Sequence, residues 1–220
     1  GNRSSILNRY LQEFIVVLGF FTRLPVHRFM AAPNGDWRNR LAEVSWAFPV
    51  VGAVIGGAGA IVYVVATMLG LGPMISAALV VASQVLITGA LHEDGLSDVA
   101  DGFGGGATKE RKLEIMRDSR VGAYGVVAIV LALLLRVGAL AEVEDIVLVL
   151  IAAGAASRAA MVAAMAILPA ARADGLGASA GQPPGREFFI ALGVAAVISW
   201  VLLGAGATII AGIATGLAWL

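Results

Sequence analysis

Apolar residues along this chain gather into runs long enough to cross a membrane, set apart by short charged or glycine-rich segments. Crossing the hydrocarbon takes about 20 such residues, and six runs approach that length: approximately 46–70, 73–92, 121–141, 146–168, 188–203 and 204–220. Leu69-Gly70-Leu71-Gly72-Pro73 makes the first tight turn and Gly204-Ala205-Gly206 a weaker one. A further stretch, Phe14 to Phe21, is too brief to cross and is flanked by Arg9, Glu13 and Arg23, which predicts an interfacial or re-entrant helix. The expected architecture is all-α: one integral membrane domain over residues 1–220, with about six transmembrane helices and that N-terminal helix. Gly52, Gly56, Gly57 and Gly59 read as a small-residue packing face, the usual means by which helices approach closely in lipid.

Composition supports this pattern. Of 220 residues, 59% are hydrophobic and only 14% charged, and mean hydropathy is +0.89, whereas a soluble domain carries roughly a quarter charged residues. Fifteen Lys and Arg balance fifteen Asp and Glu, which leaves no basic footprint for nucleic acid. With no cysteine, thiolate metal sites and cysteine nucleophiles are excluded, so any catalytic metal must sit on oxygen or imidazole. The cations fall almost wholly on one side of six crossings, among them Arg23, Arg28, Arg38, Arg40, Lys109 to Arg120, Arg172 and Arg186, while Glu142, Glu144 and Asp145 mark the other. The positive-inside bias therefore places residues 1–45, 93–120 and 169–187 in the cytoplasm.

The chemistry concentrates in His92-Glu93-Asp94-Gly95-Leu96-Ser97-Asp98-Val99-Ala100-Asp101-Gly102. On a helix continuing from the preceding span, Asp94, Asp98 and Asp101 lie within about 60° of one another. Glu93 points elsewhere but belongs to the same acidic string and counts with them as a candidate metal ligand. Carboxylates so close beside a membrane call for a compensating cation, and an oxygen-only donor set suits Mg²⁺, with Mn²⁺ as the alternative. The outer two aspartates stand about 10 Å apart along an ideal axis, too far for one ion unless the helix breaks at Gly95 or Gly102 or two ions bind. An acidic helix end facing water is the plainer alternative. His92 is either a proton acceptor or a capped helix-end histidine.

An amphipathic stretch from Lys109 to Arg120 follows. Arg117 and Arg120, three apart at the membrane entry, are candidates to grip phosphates with their planar guanidinium groups, with Ser119 between them. Asp118 is either a further metal contact or an ion-pair partner. Arg158 lies about ten residues inside a span, where it needs a partner; a buried ion pair and a phosphate ligand at the floor of the same site both answer that need. Arg136 is expected to reach Glu142 or Glu144.

In order and spacing, Phe21-Thr22-Arg23-Leu24-Pro25-Val26, the string from Thr88 to Gly102, and Glu114-Ile115-Met116-Arg117-Asp118-Ser119-Arg120-Val121-Gly122 resemble the cobalamin synthase family, the adenosylcobinamide-GDP ribazoletransferases of the inner membrane. Ser157-Arg158 and Ala173-Asp174-Gly175-Leu176-Gly177 are similar to family segments too, so the likeness runs through most of the chain. The resemblance implies a reaction in which α-ribazole or its 5′-phosphate attacks adenosylcobinamide-GDP through the ribose 3′-hydroxyl, releasing GMP and leaving cobalamin or its 5′-phosphate, with Mg²⁺ required. It also implies a C-terminal segment with a Thr-Gly-Asp element, which is not present before the sequence stops at Leu220.

On that reading Asp94, Asp98 and Asp101 hold metal that neutralises the bridging oxygen of the pyrophosphate, and Arg23, Arg117, Ser119, Arg120 and Arg158 bind substrate. Asp101 is the first candidate to accept the proton of the attacking hydroxyl, ahead of His92. The site is expected to face the cytoplasm, the partners are the two substrates and the lipid bilayer, and an oligomer is compatible with all of this. The rival from another class is a cation or metabolite transporter using the acids as its ion site, although such sites usually lie near mid-membrane in duplicated halves.

Overall fold

A computed structural model describes residues 2–26 and 37–217. Among them there is no strand, and the helices run α1 (Asn2–Phe21), a 3₁₀ segment (Trp37–Ala47), α2 (Phe48–Met68), α3 (Pro73–Thr88), α4 (Leu91–Gly105), α5 (Lys109–Ile115), α6 (Ala123–Glu142), α7 (Ile146–Ile167), α8 (Leu176–Ala180) and α9 (Gly185–Leu217). Among the described residues four helical stretches are long and apolar enough to cross a membrane, Leu41–Met68, Ala123–Glu142, Ile146–Ile167 and Gly185–Ala214, or five if the bent pair α3 and α4 is one span. The protein is thus an all-α, polytopic membrane protein. Arg28 and the last three residues of the expected run 204–220 lie outside the described residues.

Three boundaries differ from expectation. The apolar stretch Phe14–Phe21 is only the end of a 20-residue helix, α1, which is not among the span-capable helices. The runs 188–203 and 204–220 join into α9, kinked at Gly204 where φ is 80° and ψ 176°, a backbone conformation glycine adopts without a Cβ penalty. The expected cytoplasmic segment 93–120 is largely helical, as α4 and α5.

By packing, the chain divides into two compact units, residues 1–61 with 145–220, and residues 62–144. In the first, Phe21, Phe48, Val51 and Val162 are fully buried, with the rings of Phe21 and Phe48 edge to face at 4.9 Å. Helix α1 is tied to the 3₁₀ segment by Trp46 Nε1, which donates to Glu13 Oε2 at 2.8 Å, and by the edge-on stack of Tyr10 and Trp46. Helices α2 and α7 meet backbone to backbone. A Cβ on Gly52 would collide with the Gly154 carbonyl, one on Gly56 with the Leu150 carbonyl, and one on Gly154 with the Gly52 carbonyl. The glycine face is therefore a packing face at Gly52 and Gly56, while Gly57 has open space around it.

The second unit comprises the end of α2 and helices α3 to α6. Helix α2 stops at a Schellman motif, with Leu71 N donating to Ala66 O at 3.1 Å, Gly70 N to Thr67 O at 2.9 Å and Gly70 at φ 80°. Pro73 then opens α3, its missing N–H harmless in the first turn. Along α6 the exposed side chains Val126, Val127, Val130, Leu131, Leu134 and Leu135 form one stripe of a helix suited to lipid contact.

Candidate functional site

The acidic string does not continue the preceding helix. Helix α3 ends in a second Schellman motif, Ala90 N to Val85 O at 2.9 Å and Gly89 N to Leu86 O at 3.3 Å, with Gly89 at φ 65° and Ala90, a residue with a Cβ, at φ 58°. Helix α4 then leaves at 89° to α3. Through Gly95 and Gly102 it is unbroken. The break that those glycines would allow is absent; Gly102 serves packing, since a Cβ there would stand 2.7 Å from the Met116 side chain, while Gly95 has open space around it.

Helix α4 is clasped to α6 near both ends. Toward its C-terminus Asp101, 9% exposed, accepts from Gly122 N at 2.7 Å through Oδ2 and from Gly125 N at 2.8 Å through Oδ1. Near its N-terminus Glu93 Oε1 accepts from Arg136 Nη1 at 2.8 Å, and Arg136 Nη2 donates to Gln84 Oε1 of α3 at 3.1 Å. The expectation that Arg136 reaches Glu142 or Glu144 is therefore corrected. The charge lies in the apolar span α6, and the acidic helix beside it supplies a partner that lipid could not. Glu93 Oε2 is buried without a hydrogen bond.

Between the clasps, Asp94 is exposed and Asp98 half-buried. Spaced by four residues, they share a face of α4. Ser97 is buried beside Asp101, and His92 is half-buried in the first turn. Among the described residues no three His, Asp or Glu side chains converge as a ready-made metal cage. Mg²⁺ commonly uses only one or two carboxylates, completing its shell with substrate phosphates and water. The Asp94 and Asp98 pair on an unbroken turn fits that mode, and Glu93 keeps one carboxylate oxygen outside its ion pair.

The basic segment is less helical than its pattern suggests. Helix α5 covers only Lys109–Ile115, capped by Thr108 Oγ1, which accepts from Arg111 N at 3.2 Å. Arg117, Asp118, Ser119 and Arg120 follow in the turn before α6, all exposed. Arg120 grips Asp118 with a fork, Nε to Oδ1 at 3.0 Å and Nη2 to Oδ2 at 2.6 Å. Those side-chain bonds, with the Arg120 backbone N–H, hold the Asp118 carboxyl at about 2, below its ordinary 3.8. Of the two roles open to Asp118, the structure shows the ion pair. Because Asp101 holds Gly122, Arg120 two residues earlier stays within about 7 Å of chain reach of that clasp.

Two sequence-predicted substrate residues belong to the first unit. Arg23 is exposed just beyond α1. Arg158 of α7 donates to Ser157 Oγ at 3.0 Å, and its guanidinium lies 5.9 Å from the centre of the Phe21 ring. The same unit holds a cavity of about 520 Å³ between α7 and α9, lined by Ala156, Ala159, Ala163, Phe188, Leu192 and Ser199 among others. Titratable groups are absent from its lining, which suits apolar contact rather than acid–base or phosphate chemistry. Two features were missed from sequence: the amide cradle at Gly122 and Gly125, and the pairing of Glu93 with Arg136. The signal for the first was two glycines at and just inside a helix start, with no capping side chain between them.

The fold defines a polytopic all-α membrane protein. Residues 13–220 match the family profile CobS, cobalamin-5-phosphate synthase, and the chain belongs to that family. It is 46% identical over 217 residues to the adenosylcobinamide-GDP ribazoletransferase of Bradyrhizobium diazoefficiens, covering 97% of this chain and 82% of the relative. To the protein of the same description in Mesorhizobium japonicum it is 49% identical over 211 residues, 94% and 79% of the two chains. For that of Azorhizobium caulinodans the figures are 45% over 213 residues, 93% and 80%. No solved structure matches.

Proposed function

We propose that the chain is a membrane-embedded, Mg²⁺-dependent transferase that joins α-ribazole or its 5′-phosphate to adenosylcobinamide-GDP, releases GMP and forms cobalamin or cobalamin 5′-phosphate at the cytoplasmic face of the inner membrane. Family membership supports the reaction class, and the names of the relatives support the GDP-bearing substrate and a ribazole acceptor. The observation that carries the reading is the clasp of Asp101 on Gly122, which within one compact unit ties α4, the helix that bears Asp94 and Asp98, to the start of α6 directly after the Arg117 to Arg120 turn.

The residues divide the work by charge. Asp94 and Asp98 would hold Mg²⁺, which when bound neutralises charge at the pyrophosphate. Arg117 binds and orients phosphate oxygens, and Arg120 can do so by exchanging its Asp118 partner for a phosphate of like geometry. Ser119, exposed between them, offers a hydroxyl to the same oxygens. His92 or one of the two aspartates takes the proton from the attacking ribose hydroxyl. Arg23 and Arg158 are further residues assigned to substrate binding.

The deciding assay is release of GMP from adenosylcobinamide-GDP by purified protein in detergent, with α-ribazole as acceptor. We expect turnover that stops on chelation and returns with Mg²⁺. Replacing Asp94 or Asp98 by Ala should lower kcat by about 10²- to 10³-fold with folding intact. Near-normal turnover in both variants would refute the assignment of those carboxylates, and a transporter would make no GMP at all.

A further inference from the structure

We infer that Asp101 is a positioning residue: it caps helix α6 from outside that helix, and so fixes the start of α6, and with it the end of the Arg117 to Arg120 turn, to the C-terminal end of α4. The first amides of any helix lack intrahelical acceptors, and a Ser, Thr, Asp or Asn at the N-cap usually satisfies the third of them. Helix α6 has Gly122 at its N-cap, with no side chain to do this. Asp101 does it from α4, one oxygen on Gly122 N and the other on Gly125 N, the third residue of the helix.

The glycines complete the fitting. A Cβ on Gly122 would stand 2.9 Å from the Asp101 carboxyl carbon, and one on Gly125 would collide with Ser97 Oγ and Asp101 Oδ2. The two glycines therefore make room for a carboxylate supplied by another helix. Each Asp101 oxygen already accepts one amide bond, so both are committed to the start of α6. Gly122 itself, at φ −91° and ψ 177°, has a backbone any residue adopts, so a side chain could cap from there if Asp101 were gone.

That opening gives the test, whose activity arm rests on the transferase reading and whose stability arm does not. Asp101→Ala should lower kcat by about 10²-fold through misplacement of the arginine turn, and lower Tm by a few degrees through loss of a cap. Gly122→Ala, crowding the carboxylate, should shift both the same way. In Asp101→Ala/Gly122→Asp, and again in Asp101→Ala/Gly122→Ser, the cap returns in cis. We expect Tm to recover, kcat to stay near the Asp101→Ala level because a cap in cis does not tie α6 to α4, and the Mg²⁺ concentration for half-maximal rate to match wild type in every variant. A Mg²⁺ requirement raised about tenfold in Asp101→Ala would show that Asp101 touches metal, and full recovery of turnover in the double variants would show that the tie to α4 is dispensable; either result overturns the inference. Failure of Tm to recover in both double variants would overturn the capping role. If the wild-type protein releases no GMP, the transferase reading falls, and Tm alone still upholds or overturns the cap.

Discussion

Arg136 illustrates how a single residue's role depends on what folds against it. Its sequence neighbours in reach of a helical turn or loop are Glu142 and Glu144, yet it pairs with Glu93, 43 positions away, and with Gln84. The Glu93 side chain is 14% exposed and that of Arg136 41%, so removing one partner leaves the other charge stranded beside an apolar span. Arg136→Leu should therefore destabilise the protein by about 3 kcal/mol, and Arg136→Leu with Glu93→Leu by distinctly less. A thermal-unfolding double-mutant cycle measures this; additive losses would show that the two charges do not depend on each other. Asp118 behaves oppositely, for it is paired locally and in water. Since its folded value of about 2 lies below the ordinary 3.8, whatever it contributes is present above about pH 4 and fades as pH falls toward 2, outside the range where the enzyme would work.

At the scale of elements, two different kinds of glycine decide the architecture. Gly70 and Gly89 end helices through left-handed backbone, and the first of these was legible because Gly70 sits in a Gly-Pro turn. The second was hidden in a run that reads as apolar through Leu91, so the acids on α4 seemed to extend α3 when they turn 89° away from it. Gly52 and Gly154 instead bring α2 and α7 into backbone contact. Replacing Gly154 by Val should cost about 1–3 kcal/mol through overpacking, with Gly57→Val, which meets open space, as the control that leaves Tm nearly unchanged. Equal losses at the two positions would mean that the crossing does not depend on close approach.

For the whole molecule, the absence of native cysteine makes orientation directly measurable. A single cysteine at Glu110, exposed in α5, should be labelled by an impermeant reagent only from the cytoplasmic side, and one at Glu144, exposed between α6 and α7, only from the other. Labelling of both from one side would overturn the orientation. The sequence alone determined the membrane class, the all-α content and the residues that carry charge, because each follows from local composition, run length and spacing in a bilayer that penalises exposed backbone and charge. Only the tertiary structure decided which of those charges meet. Pairing Asp101 with the Gly122 and Gly125 amides, or Glu93 with Arg136, depends on the bend at Gly89 and Ala90 and on how α4 then packs along α6, and contacts between helices far apart in sequence leave no trace in the order of residues.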